Sequence, residues 1–222
     1  MERARVKICG LTEPEGLDAA LEVGAAYVGF VFFPKSPRNL SPAEAAALAA
    51  RVPSGVAKVG LFVDPDDAAL DAALAAAPLD MIQLHGAETP GRAAEVKSRH
   101  GLPVMKAIGL RTRADLAALN EWTGAADQVL VDAKPPEGAE LPGGNGLAFD
   151  WTLLSDRRWF GPWMLAGGLT PGNVAEAMAR TNARQVDVSS GVESAPGTKD
   201  PALVRQFIAA ASRPLAPVPD LL

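Results

Sequence analysis

The chain of 222 residues has a single cysteine, Cys9, so no disulfide can close within it, and one cysteine with two histidines is too small a set for an obvious zinc cluster. No metal site is expected, and stability has to come from packing. No run approaches the roughly 20 apolar residues that a membrane-spanning helix needs. The N-terminal stretch MERARVKICG also lacks the long apolar segment of a secretory signal. A soluble, cytoplasmic protein without a membrane partner is expected. Basic residues are outnumbered, 21 Lys and Arg against 26 Asp and Glu, for a formal net charge of −5. That balance argues against a nucleic-acid partner, and it means that an anionic ligand would have to be attracted by a local cationic site.

With 48% hydrophobic residues, the chain can bury one substantial core and is near the size of a single α/β barrel. Short Val/Ile/Phe/Leu-rich runs alternate with Ala-rich amphipathic stretches, the pattern of βα units feeding a parallel sheet. Eight strands are predicted: Arg5–Cys9, Tyr27–Phe33, Ala57–Val63, Asp80–Leu84, Pro103–Ile108, Asp127–Asp132, Pro162–Ala166 and Gln185–Ser189. Helices should follow each, among them Pro14–Val23, Pro42–Arg51, Asp66–Ala76, Ala114–Trp122, Pro171–Arg180 and Pro201–Ala211. The pairs Ser41-Pro42, Thr170-Pro171 and Asp200-Pro201 look like helix starts, a capping oxygen followed by a proline that needs no donor. Residues 1–212 are thus expected to form one (β/α)8 TIM barrel. The segment Ala133–Leu147, rich in Pro and Gly and without apolar periodicity, should be a long loop at its active-site end. Arg213–Leu222, with three prolines, should be a surface tail.

In such a barrel the active site lies at the C-terminal ends of the strands. The polar residues predicted there are Cys9, Asp64, His85, Asp132, Gly167-Gly168 and Ser189-Ser190. Barrels often hold phosphate between the loops after strands seven and eight. Gly167 and Gly168 in AGGLTPGNV let backbone N–H groups approach an anion, and SSGVE adds the hydroxyls of Ser189 and Ser190 and a glycine before a short helical turn. The bland alternative is that these glycines only form tight turns.

Cys9 by residue type alone is a small buried hydrophobe. Its place at the end of the first strand, and its shared strand parity with Lys7, suggest instead a thiol whose basic form is favoured by an ammonium. Asp132 ends an apolar strand, where partial burial suits a proton donor; a structural pair with Lys134 is the alternative. Arg38, in PKSPR, could clamp a carboxylate or lie on the surface. His85 in QLHG either lines the pocket or caps a turn. Asp187 faces inward with Ser189 and needs a partner such as a sugar hydroxyl or a lysine, with Lys106 one candidate.

The blocks KICGLT, GFVFFPKSPRNLSP, QLHG, VDAK, FDW, AGGLTPGNV and DVSSGVESAPGTKD, in this order, resemble those of the phosphoribosylanthranilate isomerases over nearly the whole chain. The resemblance implies an aldose–ketose isomerase of tryptophan biosynthesis. Its substrate would be a small phosphorylated molecule, N-(5-phosphoribosyl)anthranilate, converted to 1-(2-carboxyphenylamino)-1-deoxyribulose 5-phosphate with no metal or redox cofactor. By the same resemblance Cys9 is the general base, Asp132 the general acid and Arg38 the residue that meets the anthranilate carboxylate. His85 and Asp187 line the pocket, and Gly168, Ser189 and Ser190 lie in the phosphate loops. The family includes monomers and dimers, so either a monomer or a homodimer is expected. Two stretches depart from the pattern: Pro135–Gly146 is longer before its glycine-rich end, and the tail after Arg213 has no counterpart. Two readings compete. One is another phosphate-binding barrel enzyme, although an indole-forming lyase would use Lys and Glu at its strand ends. The other is a catalytically silent barrel that serves as a binding partner.

Overall fold

A computed structural model describes residues 4–212 apart from 137, 140, 145 and 156, so the expected tail lies outside the described residues. Eight strands close into a parallel barrel in chain order: β1 (Arg5–Cys9), β2 (Tyr27–Phe32), β3 (Ala57–Phe62), β4 (Met81–Leu84), β5 (Val104–Leu110), β6 (Gln128–Ala133), β7 (Trp163–Leu165) and β8 (Gln185–Val188), with β8 pairing back on β1. The predicted strands are all present, with ends shifted by two residues at most. Strands covered on both faces read as apolar runs, and alternate residues divide between two cores. Ile8, Val28, Phe30 and Ile82 pack under the outer helices, while Tyr27, Val59, Met105, Leu130 and Met164 fill the barrel. Cys9, Val31 and Leu61 form a third cluster at the mouth.

The outer helices are α1 (Pro14–Glu22), α2 (Pro42–Ala49), α3 (Asp67–Ala76), α4 (Pro90–His100), α5 (Leu116–Glu121), α6 (Val174–Thr181) and α7 (Pro201–Ala211). Ser41 and Glu44 form a reciprocal capping box at α2, and Asp200 accepts from the Ala202 and Leu203 N–H groups at α7. The third predicted start is corrected. At Thr170-Pro171 the chain makes a turn in which the Thr170 carbonyl accepts from Asn173 and Val174, and the helix begins only at Val174. The Asn173 side chain bridges this turn, accepting from the Thr170 N–H (2.7 Å) and donating to the Gly168 carbonyl (3.0 Å). The sixth unit has a short 3-10 turn, Trp151–Leu154, in place of an α-helix; Ala133, expected to open the long loop, still belongs to β6, and the described residues between 134 and 150 form no strand or helix. After β8 the chain makes a 3-10 turn, Ser190–Val192, and a small hairpin of β9 (Glu193–Ala195) and β10 (Thr198–Lys199) before α7. Gly197 seats this hairpin against the loop after β2, because a Cβ there would lie 2.6 Å from the Pro37 carbonyl oxygen.

Candidate active site

The floor of the mouth is built by β1 and β8. Their parallel register sets Lys7 beside Asp187, and the fully buried Lys7 ammonium donates to Asp187 Oδ1 at 2.8 Å. Lys106, the lysine considered as partner for Asp187, turns away and pairs with Glu88 Oε2 (2.6 Å) and the Gly86 carbonyl (2.6 Å). Nearness along the strand order decides this: β1 adjoins β8 directly, whereas β5 lies across the barrel. Burial by itself pushes Lys7 down, yet the charges of Asp187 and Cys9 hold it above the usual lysine range.

Cys9 is buried, with Lys7 within hydrogen-bonding reach. Burial pushes its thiol up from the ordinary value; the Lys7 ammonium pulls it back, Asp187 pushes it up again and Lys199 pulls it down. The expected thiolate-favouring ammonium is therefore in place, but desolvation outweighs it. Replacing Lys7 with methionine should move the midpoint of the thiol's ionisation upward by about one pH unit or more. The thiolate's ultraviolet absorbance reads this directly because the chain has one cysteine. A midpoint that stayed put would remove Lys7 from the account.

Asp132 is the last residue but one of the apolar β6, with its carboxylate at the mouth. Oδ1 accepts from the Ala133 N–H (2.7 Å), and Oδ2 lies 3.4 Å from His85 Nε2. The Gln83 side-chain amide lies 2.9 Å from His85 Nδ1; with the amide nitrogen as donor, the imidazole proton sits on Nε2, facing Asp132. His85 thus lines the pocket. Lys134, the alternative partner of Asp132, points outward and binds Asp115 at 2.6 Å, holding that carboxyl well below the usual range.

Gly167 and Gly168 both have left-handed backbones, with φ of 86° and 62°. Their N–H groups donate to no acceptor among the described residues. They line a cavity at the mouth together with Ser189, Ser190 and Gly191. Gly191, the glycine of SSGVE, has no room for a Cβ because the Leu169 carbonyl oxygen occupies that space. At Gly168 a Cβ would meet the Leu147–Ala148 backbone at 2.7 Å, so a side chain there would displace the loop that walls the cavity.

A second cavity adjoins the first and shares Asp132, Asp187, Ser189 and the glycines 143 and 144 with it. Its walls are Val31, Phe33, Leu61, Val63 and Pro142, with Cys9, Arg38 and His85 around them, an apolar slot with polar edges. The long loop lies directly on this chemistry. A Cβ on Gly143 would sit 2.5 Å from His85 Nε2 and 2.8 Å from Asp132 Oδ2, and one on Gly144 would sit 2.8 Å from Arg38 Nη1.

Arg38 is buried rather than on the surface, and its guanidinium is gripped by Glu193 through Nε (2.7 Å) and Nη2 (2.8 Å). Gly10 leaves space for its stem, since a Cβ at that position would collide with Arg38 Cδ. Glu193 also accepts from Lys199 Nζ at 2.6 Å. Burial acts to raise the Glu193 carboxyl, but the hydrogen bond from Arg38 and the charge of Lys199 leave it below the usual range; burial lowers Lys199. Glu193 and Lys199 lie in the block DVSSGVESAPGTKD but at no strand end of the barrel, which is why position along it did not point to them. Around the thiol, three cations (Lys7, Arg38, Lys199) face two carboxylates (Asp187, Glu193).

Residues 6–210 match the family model described as N-(5'phosphoribosyl)anthranilate (PRA) isomerase. The chain is 68% identical to the N-(5'-phosphoribosyl)anthranilate isomerase of Paracoccus denitrificans, covering 95% of this chain and 98% of that one. It is 62% identical to its counterpart from Cereibacter sphaeroides, covering 95% and 100%. Among solved structures, phosphoribosyl anthranilate isomerase from Thermotoga maritima superposes with a TM-score of 0.83 at 36% identity, covering 94% and 98%. A phosphoribosyl anthranilate isomerase in complex with reduced 1-(o-carboxyphenylamino)-1-deoxyribulose 5-phosphate gives 0.80 at 34%, with the same coverage.

Proposed function

This chain belongs to the N-(5'-phosphoribosyl)anthranilate isomerase family, aldose–ketose isomerases of tryptophan biosynthesis, and we propose that Cys9 and Asp132 are its general base and general acid. The observation that carries the assignment is the pair of adjoining cavities. One is lined by glycine amides, those of Gly167 and Gly168 without an acceptor among the described residues, and by serine hydroxyls, and suits a phosphate. The other is apolar with an arginine at its edge and suits a planar ring bearing a carboxylate. A substrate anchored at both ends places its sugar between Cys9, Asp132 and Asp187, and such anchoring converts binding into orientation at the reacting carbon.

The residues divide the reaction between them. Asp132 gives a proton to the furanose ring oxygen, the C1–O bond opens and an iminium forms at C1. The iminium acidifies the proton on C2, Cys9 thiolate removes it, and the resulting enolamine becomes the ketone by losing the hydroxyl proton and gaining one at C1. Asp187, held by Lys7, presents its second oxygen to a sugar hydroxyl, and His85 flanks the acid. No step calls on a metal or redox cofactor. Such an enzyme works in the cytoplasm, as a monomer or homodimer.

The phosphate end has its own test. Gly168→Ala combines a strained φ with contact on the loop backbone. It should raise KM for the phosphorylated substrate about tenfold, with a smaller fall in kcat. An unchanged KM would move the phosphate elsewhere.

A further inference from the structure

The acid/base reading leaves Glu193 without a part, although it is one of the most enclosed charges at the mouth. Its side chain is 5% exposed, between Arg38 at 7% and Lys199 at 2%. Oε1 accepts from both Arg38 Nε and Lys199 Nζ, and Oε2 accepts from Arg38 Nη2, so the Nε–Nη2 edge of the guanidinium is fully taken. Among the described residues Arg38 Nη1 remains without a hydrogen bond, lying against Gly144, and Nη2, besides its bond to Glu193, makes a long contact of 3.4 Å to the Gly144 carbonyl. Lys199 is anchored in turn on the Ser189 carbonyl at 3.1 Å. A buried carboxylate between two cations adds little net stability, because its desolvation cost offsets the attraction. What it does add is a fixed position for a long side chain that would otherwise sample several rotamers. Without it, Arg38 and Lys199 would repel each other and the guanidinium would turn toward solvent.

We propose that Glu193 is a positioning residue for substrate specificity: it fixes Arg38 so that the Nη1 end meets the carboxylate of the aromatic group. The proposal rests on the reading of Arg38 as the carboxylate partner, and the experiment separates the two. Two ligands are titrated: reduced 1-(o-carboxyphenylamino)-1-deoxyribulose 5-phosphate and the same molecule without its aromatic carboxyl. The proteins are the parent, Glu193→Gln, Glu193→Asp, Arg38→Ala and the double variant with Glu193→Gln and Arg38→Ala. Glu193→Gln should weaken the carboxylated ligand about tenfold and the decarboxylated one less than about twofold, with KM rising more than kcat falls. Glu193→Asp should recover part of the loss, and the double variant should bind no worse than Arg38→Ala. Equal weakening of both ligands would mean a structural role, and unchanged or tighter binding of the carboxylated one would mean that Glu193 merely competes for Arg38; either overturns the proposal. If Arg38→Ala fails to discriminate the two ligands, the carboxylate reading itself falls. If it discriminates and Glu193→Gln does not, only the role of Glu193 falls. Should Glu193→Gln fold poorly, Glu193→Asp carries the same comparison at a smaller amplitude, because its shorter carboxylate holds Arg38 less fully.

Discussion

Replacing Cys9 by alanine is expected to lower kcat by about two orders of magnitude or more, leaving the affinity for a reduced product analogue nearly intact. The substitution removes one sulfur from the small cluster with Val31 and Leu61, a loss of about 1 kcal/mol in packing at most. It leaves Lys7 bound to Asp187, so the floor of the site should survive. If Cys9 were only a packing residue, the same variant would melt a few degrees lower and turn over as the parent does. Melting temperature, analogue affinity and kcat measured on one preparation decide between the two, and near-parental turnover in a folded variant would refute the base assignment. Because burial pushes the thiol up, the basic form gains population only as pH rises through a value above the ordinary one. The ultraviolet titration of the parent should show that midpoint without any substrate present.

Asp132→Asn should cost a comparable factor, about a hundredfold or more in kcat, because the amide can still hydrogen-bond but cannot deliver a proton to the ring oxygen. The substitution is nearly isosteric. The new amide's oxygen can keep accepting from the Ala133 N–H, while its nitrogen, turned toward His85 Nε2, meets a donor and pushes the imidazole toward its other tautomer, at the expense of the contact with Gln83. Since the base must be ionised and the acid protonated, kcat/KM of the parent should follow a bell-shaped pH profile. Each single variant should lose one limb. A folded Asp132→Asn enzyme with both limbs and parental turnover would place the acid elsewhere. His85 is the first alternative, being the only other titratable group within 3.4 Å of that carboxylate among the described ion pairs.

Much of this was legible from the chain alone because the information is local. Short apolar runs marked the eight strands, a proline after a capping oxygen located the starts of α2 and α7, and strand parity put Lys7 on the side of Cys9 and Asp187 with Ser189 toward the barrel interior. The miss at Thr170-Pro171 has a local cause too: Asn173 captures the turn before the helix can begin, and a capping pattern does not say which of two nearby oxygens wins. The helix α4 also has its signal, Thr89 accepting from the Arg92 N–H ahead of Pro90, a cap-and-proline pair of the same kind as those at α2 and α7.

Pairings between residues far apart in the chain were not legible in this way. Lys7 meets Asp187 across 180 residues because closing the barrel makes β1 and β8 neighbours, and the same closure leaves Lys106 to Glu88. Arg38 meets Glu193 across 155 residues because Gly10 clears its stem and Gly197 lets the β9–β10 hairpin sit against the loop after β2. The order of residues alone established which side-chain types stand at the mouth of the barrel, since that follows from where each strand ends. Which charge neutralises which, and hence how far burial or a neighbour governs the Cys9 thiol, emerged only once the chain was folded, because electrostatic energy depends on distance and desolvation, and neither is written in the order of the residues.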